Sequence, residues 1–305
     1  MRKTSIAIFT FALVGCSSDD QGGEATAEPY PPPAPDDCIV DVTPGHQTLT
    51  CDGLSFELSV GDVCLQQACG LIIDTHGFGM NGELMDLHSH LRALGNAAGY
   101  IVVNPSSPGT LGSSSWTVAN DDQVFAFMQR VINVWHVNPK KIHFTGFSQG
   151  GYMTWRFACK HADIIASVAP LAAGTGSAGG SSCSFSAADQ PSRELPIFYV
   201  HGTTDGLVAF ATAVAQRDAV IAAWGLSPAE TVSTGSDHEW TRYTNANGNV
   251  FEFAQHNWET AFVLFNAPLR GHCVPGSGEF LGCGADTAFN WGESVLSFFQ
   301  HHPLP

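Results

Sequence analysis

Short apolar runs and helix-spaced apolar positions take turns along this chain. Leu54 to Val60 alternates apolar and polar residues, the pattern of a half-exposed strand. Leu71-Ile72-Ile73 and Tyr100-Ile101-Val102-Val103 are unbroken apolar runs that read as buried strands, and Leu84 to Ala98 between them reads as a helix. From Asp121 onward, Val124, Phe127, Met128, Val131, Ile132 and Trp135 fall at helical spacing until Asn138-Pro139 stops the helix. Ile142 to Phe147 is the next strand and Tyr152 to His161 the next helix. Ile164 to Pro170, Ile197 to His201 and Ala261 to Phe265 read as further buried strands, and Phe289 to His301 as a last helix. Strands separated by helices predict the α/β class, with a mainly parallel central sheet and helices on both faces. No repeat and no second linker interrupt the pattern, so one folded domain is expected over residues 38–305.

The first 37 residues follow a different pattern. Arg2-Lys3 is basic, and Ile6 to Val14 is an apolar run too short for a stable membrane span. Residues 1–15 therefore read as an export signal. The run ends in Leu13-Val14-Gly15-Cys16, which resembles the bacterial lipobox, where the cysteine is lipidated and becomes the mature N-terminus. The plainer alternative is an ordinary signal peptide with an incidental cysteine. Ser17 follows Cys16, so the usual inner-membrane retention signal, an Asp at that place, is missing. The expectation is an exported protein, lipid-anchored at Cys16 to the outer membrane or cell surface, with free secretion or a periplasmic location as the alternative. Residues 16–37 are rich in Ser, Asp, Glu, Gly and Pro and are expected to form a solvated tether.

Charge narrows the partners. The formal net charge is −16, and loss of Arg2 and Lys3 with the signal takes it to −18. An acidic surface argues against nucleic-acid and anionic-membrane binding, leaving the N-terminal lipid as the only expected membrane contact. Apart from Cys16, eight cysteines remain: Cys38, Cys51, Cys64, Cys69, Cys159, Cys183, Cys273 and Cys283. An even count in an exported chain points to disulfides. Eight cysteines admit roughly a hundred pairings. Nearest-neighbour pairing is expected (Cys38–Cys51, Cys64–Cys69, Cys159–Cys183, Cys273–Cys283), because each successive pair closes a short segment. A zinc site is the rival reading, but the spacings are irregular, and no metal is expected.

The stretch Gly146-Phe147-Ser148-Gln149-Gly150 sits between a predicted strand and a predicted helix. Gly-x-Ser-x-Gly in that context matches a nucleophile elbow. The glycines remove side chains where the backbone must close tightly, and the turn lifts the serine hydroxyl above the sheet. A serine is a poor nucleophile without a base, so an acid and then a histidine are expected later in the chain, each just after a strand. Asp205 follows Ile197 to His201, and His272 lies in Gly271-His272-Cys273 beyond Ala261 to Phe265. Taken singly, Asp205 reads as a turn cap and His272 as one loop histidine among 13. Their order and context together make them candidate catalytic residues with Ser148.

Other candidates fit less well. His201 precedes Asp205 and is better placed to support that loop. His238 lies in a polar segment, His256 just after an antiparallel strand, and His301 and His302 in the terminal helix or tail. Asp86, His88 and His90 are spaced for chelation on a strand but sit in a helical stretch. A tetrahedral intermediate needs oxyanion donors. The backbone N–H groups of Phe78, in His76-Gly77-Phe78-Gly79, and of Gln149 are the expected pair, the alternative for the first being a simple Gly-rich turn.

These residues carry a resemblance. His76-Gly77-Phe78-Gly79, Gly146 to Gly151, His201-Gly202-Thr203-Thr204-Asp205 and Gly271-His272-Cys273-Val274-Pro275-Gly276 are similar to secreted esterases of the polyhydroxybutyrate depolymerase and feruloyl esterase group. Cys159 beside the helix after the serine, with Cys183 downstream, fits that group too. The resemblance covers about residues 50 to 300 and implies an α/β-hydrolase fold. It also implies hydrolysis of carboxylic esters outside the cytoplasm, with polyhydroxybutyrate-type polyester or oligomers, or feruloyl-polysaccharide esters, as substrates. Many extracellular polyester depolymerases continue into a linker and binding module, and none follows here, which argues against attack on crystalline polymer. No long apolar lid insertion is evident, so an open cleft is expected. Trp116, in a polar loop, either lines that cleft or anchors the loop. No cofactor is expected, and the protein is expected to be a monomer. The alternatives are a serine peptidase or thioesterase, or a non-catalytic surface binding protein on the same fold.

Overall fold

Side chains of a strand alternate between its two faces, and along the central strands of this chain both sets are apolar. The computed structural model describes residues 30–174 and 183–305. Cys16 and the expected export signal 1–15 lie outside the described residues, as does most of the expected tether. Strands β1 (Gly45–Cys51), β2 (Leu54–Val60), β3 (Gly70–Thr75), β4 (Tyr100–Ser106), β5 (Ile142–Phe147), β6 (Ser167–Leu171), β7 (Ile197–Gly202), β8 (Ser227–Thr234), β9 (His238–Thr244) and β10 (Val250–His256) form one sheet. Its order is β1-β2-β4-β3-β5-β6-β7-β10-β9-β8. The six strands from β4 to β10 in that order are parallel, and β1, β2, β9 and β8 add antiparallel edges.

Helices α1 (Gly82–Ser89), α2 (Leu91–Ala97), α3 (Asn120–Val134), α4 (Gln149–Lys160), α5 (Phe210–Trp224) and α6 (Trp291–His301) cover both faces. On one face, Leu71, Ile73 and Phe144 join Phe127 of α3, Met153 of α4 and Val220 of α5 in one apolar cluster. On the other, Ile72, Val102 and Phe198 join Met85 of α1, Leu91 of α2 and Phe299 of α6. Burying each such side chain stabilises the fold by about 1.5–3 kcal/mol. A buried ion pair ties α3 to α4: Arg156 Nε and Nη2 donate to the Asp121 carboxylate at 2.8 and 2.7 Å.

The α/β reading of the sequence is observed, with several corrections. The stretch read as one helix, Leu84 to Ala98, is two, because His90 takes a left-handed φ of 54° between α1 and α2. Ala261 to Phe265 is not a buried strand of the sheet. It belongs to a separate two-stranded hairpin, β11 (Thr260–Leu264) and β12 (Ala267–Arg270), whose residues are largely exposed. The sheet strand in that region is β10, antiparallel to β9 and parallel to β7, and His256 is its last residue rather than lying just after it. The docked chain also extends before Cys38. The Tyr30 hydroxyl donates to the His136 carbonyl at 2.8 Å, Ala34 N–H to the Val134 carbonyl at 2.8 Å, and Arg130 to Asp36 at 2.8 Å. Residues 30–37 thus dock on the end of α3 instead of serving as free tether. Disulfides join Cys38 to Cys51, Cys64 to Cys69, Cys159 to Cys183 and Cys273 to Cys283.

Candidate active site

The turn between β5 and α4 is sterically forced. A Cβ on Gly146 would lie 2.2 Å from Thr75 Oγ1, and one on Gly150 would lie 2.0 Å from the Thr75 carbonyl oxygen. With both side chains absent the helix starts directly against β3. Thr75 Oγ1 bridges the gap, within hydrogen-bond distance of the carbonyls of Thr145 and Gly150. Ser148 between the glycines has φ 54° and ψ −115°, a region that non-glycine residues rarely adopt. Such strain persists only where the surroundings impose it, and it collects at functional sites.

The structure brings the three candidate residues together. His272 Nε2 lies 2.9 Å from Ser148 Oγ, and His272 Nδ1 lies 2.7 Å from Asp205 Oδ2. The histidine and the acid are buried, while the serine is half-exposed. Asp205 Oδ1 accepts the N–H groups of Leu207 and Val208 at 2.8 and 2.7 Å. These two amides, invisible to motif reading, fix the carboxylate plane. His201 Nε2 lies 2.9 Å from the Val208 carbonyl and 3.3 Å from Asp205 Oδ2. It braces the acid loop, and burial holds its imidazole below the ordinary pKa.

The loop after β3 passes over the serine, since a Cβ on Gly77 would come within 3.2 Å of Ser148 Cβ. Among the described residues, the N–H groups of Phe78 and Gln149 have no protein acceptor. The loop is buttressed from behind. Gly79 N–H donates to the Ser114 carbonyl at 2.8 Å, and Gly112 N–H returns to the Gly79 carbonyl at 2.7 Å. His76 bridges the Gly77 carbonyl through Nδ1 and the Ser107 N–H through Nε2, at 2.6 and 2.9 Å. Burial pushes this imidazole down to about 4, so it stays neutral and its tautomer is fixed.

Trp116 anchors its loop. It is buried, its indole N–H donates to the His76 carbonyl at 2.9 Å, and its backbone N–H donates to Gln149 Oε1 at 3.0 Å. A tryptophan in a polar serine loop gains more by inserting its ring and satisfying its N–H than by facing water.

The remaining candidates lie apart. Asp86 is held by Arg92 and His88 by Ser277, while His90 forms the break between two helices, so these three do not converge. His238 bonds Asp237 and Ser233 at the sheet edge, and His301 and His302 cap carbonyls at the end of α6. Among the described residues, His46, Glu57 and Glu83 are the one group with metal-ligand proximity. The Arg92 guanidinium already fills it, 2.7 Å from His46 Nε2 and 2.9 Å from Glu83.

A family model described as "Alpha/beta hydrolase family" matches residues 72–291. The chain belongs to this family. It is 28 % identical over 141 residues to a bifunctional acetylxylan esterase/xylanase of Neocallimastix patriciarum, covering 45 % of this chain and 19 % of that protein. Over 94 residues it is 34 % identical to feruloyl esterase B of Piromyces equi, covering 30 % of this chain and 16 % of that one. The chain thus spans under a fifth of each of these relatives. Among solved structures, an acetyl xylan esterase from Aspergillus awamori superposes with a TM-score of 0.56 at 16 % identity, over 69 % of this chain and 92 % of that one. A thermostable esterase gives 0.54 at 14 % identity, over 85 % and 62 %. These likenesses show the fold.

Proposed function

We propose that this α/β hydrolase is a serine esterase in which Ser148, His272 and Asp205 form the catalytic triad. The reading is carried by the continuous hydrogen-bonded path from Asp205 Oδ2 through the imidazole to Ser148 Oγ, with links of 2.7 and 2.9 Å. As Ser148 Oγ attacks the ester carbonyl carbon, its proton passes to His272 Nε2. The imidazolium that forms is stabilised by Asp205, which already orients the neutral ring. The N–H groups of Phe78 and Gln149 take the oxyanion, Gln149 adding the positive end of α4. The leaving alcohol departs with the proton from His272. Water then gives a proton to His272 as it attacks the acyl-serine carbon, and His272 returns that proton to Ser148 Oγ as the acyl C–O bond breaks, releasing the acid and free Ser148.

The relatives' names support acetyl or feruloyl esters of polysaccharide as the substrate class. The chain acts after export, on the far side of the membrane, with residues 1–15 as signal, Cys16 as lipid attachment and the following segment as spacer. Four disulfides support an oxidising compartment. Replacing Ser148→Ala should lower turnover by about 10⁶-fold without unfolding the protein. A panel of methyl ferulate, acetylated xylan, hydroxybutyrate oligomers and a peptide distinguishes this reading from polyester and peptide cleavage. Wild-type rates in the serine variant would overturn the proposal.

A further inference from the structure

The hairpin β11–β12 turns on two residues, Phe265 and Asn266, with φ of 48° and 64°. A two-residue hairpin loop with positive φ at both positions favours Asn and Gly. Asn266 suits its place. Phe265 does not: a bulky side chain in left-handed backbone is strained, and this one is also 76 % exposed. The strained backbone costs stability, and the exposed ring buries little in return.

The position of the hairpin supplies a reason. Its base is anchored to the acid loop: Gly206 N–H donates to the Leu269 carbonyl at 3.0 Å, and the backbones of Arg270 and Asp205 form an isolated antiparallel bridge. Its tip reaches the loop that carries Gly77 and Phe78, where the Phe265 ring lies 5.9 Å from that of Phe78, tilted by 58°. Phe78 follows Gly77, whose Cα hydrogen faces Ser148 Cβ. The hairpin therefore carries an aromatic ring from the Asp205 side of the site to the oxyanion side.

We infer that Phe265 and Phe78 form a subsite that grips a planar aromatic group of the ester. The inference rests on the esterase reading above. Two rings at this separation and tilt offer a face and an edge to a third ring, the geometry in which aromatic groups attract beyond simple burial. An alkyl group gains only the area it covers.

The test uses the full chain and matched esters: methyl cinnamate against methyl crotonate for the acyl side, benzyl acetate against butyl acetate for the alcohol side. The Phe265→Gly variant keeps the turn and relieves its strain, so its melting temperature should hold or rise. The aryl-to-alkyl ratio of kcat/KM should fall roughly tenfold in at least one pair, chiefly through KM, and Phe265→Tyr should restore it. Phe78→Leu, which keeps its N–H, should lower the same ratio. Ratios within twofold of wild type in both pairs overturn the subsite while leaving the esterase reading intact. So does an equal loss on aryl and alkyl esters with a lowered melting temperature, which marks a structural role. A wild-type protein inert on all four esters overturns the esterase reading and the subsite with it.

Discussion

His272 Nδ1 and Asp205 Oδ2 stand 2.7 Å apart, and the second oxygen of that carboxylate is already held by two backbone amides. An amide in place of the carboxylate cannot serve both sides, because its NH₂ must face either the imidazole N–H or the loop amides. Asp205→Asn should therefore fold and lose about 10⁴-fold in turnover. Stopped-flow ester hydrolysis alongside a melting curve checks this, and near-normal turnover in a folded variant would rule the role out.

The Cys273–Cys283 bridge begins at the residue after His272 and closes a loop of sequence separation 10. A loop that short adds on the order of 2–3 kcal/mol in the chain-entropy model. Its local effect should be larger, since the base must stay within reach of the serine. The double variant Cys273→Ser/Cys283→Ser is expected to turn over more than about tenfold slower, a loss of over ~1.4 kcal/mol. Its melting temperature should drop by only several degrees. Equal turnover would refute the link.

Gly150 is the glycine with least room in the elbow. In Gly150→Ala the methyl would meet the Thr75 carbonyl, which is backbone and cannot swing away. A destabilisation of roughly 3 kcal/mol is expected by urea unfolding. Gly248→Ala is the control: its φ is +80° but no atom lies within 4 Å, so only the backbone cost, about 1–2 kcal/mol, applies. Equal losses in the two variants would contradict the steric account.

Acid should weaken the fold between pH 6.5 and 4. Burial pushes His76, His88 and His256 down to about 4 and His143 to about 3. In this window the unfolded chain takes up protons that the folded chain refuses. Stability is thus full above the unfolded pKa and lost as pH falls toward the folded one. Asp74 opposes this, because burial raises it to about 7. Its contribution is present below the ordinary carboxylate pKa and is lost as pH rises toward 7. Melting temperatures should fall from pH 7.5 to pH 4.5, and more steeply in Asp74→Asn. A flat wild-type profile would count against the buried neutral histidines.

Much of the site was legible because its parts are local. The elbow needs glycines at fixed offsets from Ser148, and the acid sits one turn beyond the buried strand β7, whereas the base follows the exposed hairpin β11–β12. Strands β3, β4 and β7 were legible as apolar runs, whereas β10 is interrupted by Glu252 and Gln255. What failed did so for physical reasons. Ala261 to Phe265 has the length and apolarity of a core strand, and only tertiary contacts reveal that it stands outside the sheet. Helix α5 buries small or polar residues such as Ala213 and Gln216, so its apolar stripe is faint. The edge strands β8 and β9 are mostly exposed and polar, and little in their composition separates them from loop. Trp116 faced inward because of hydrogen-bond partners far away in sequence.

The disulfide pattern also bears on how this molecule is made. Among the described residues the eight cysteines pair consecutively, first with second, third with fourth and so on, so no bridge encloses or crosses another. A polypeptide threaded N-terminus first into an oxidising space can close each link before the following pair arrives. Order of emergence then selects one arrangement from the roughly hundred that eight cysteines permit. Little reshuffling of mispaired bridges is required, and the last link to close is the one beside His272.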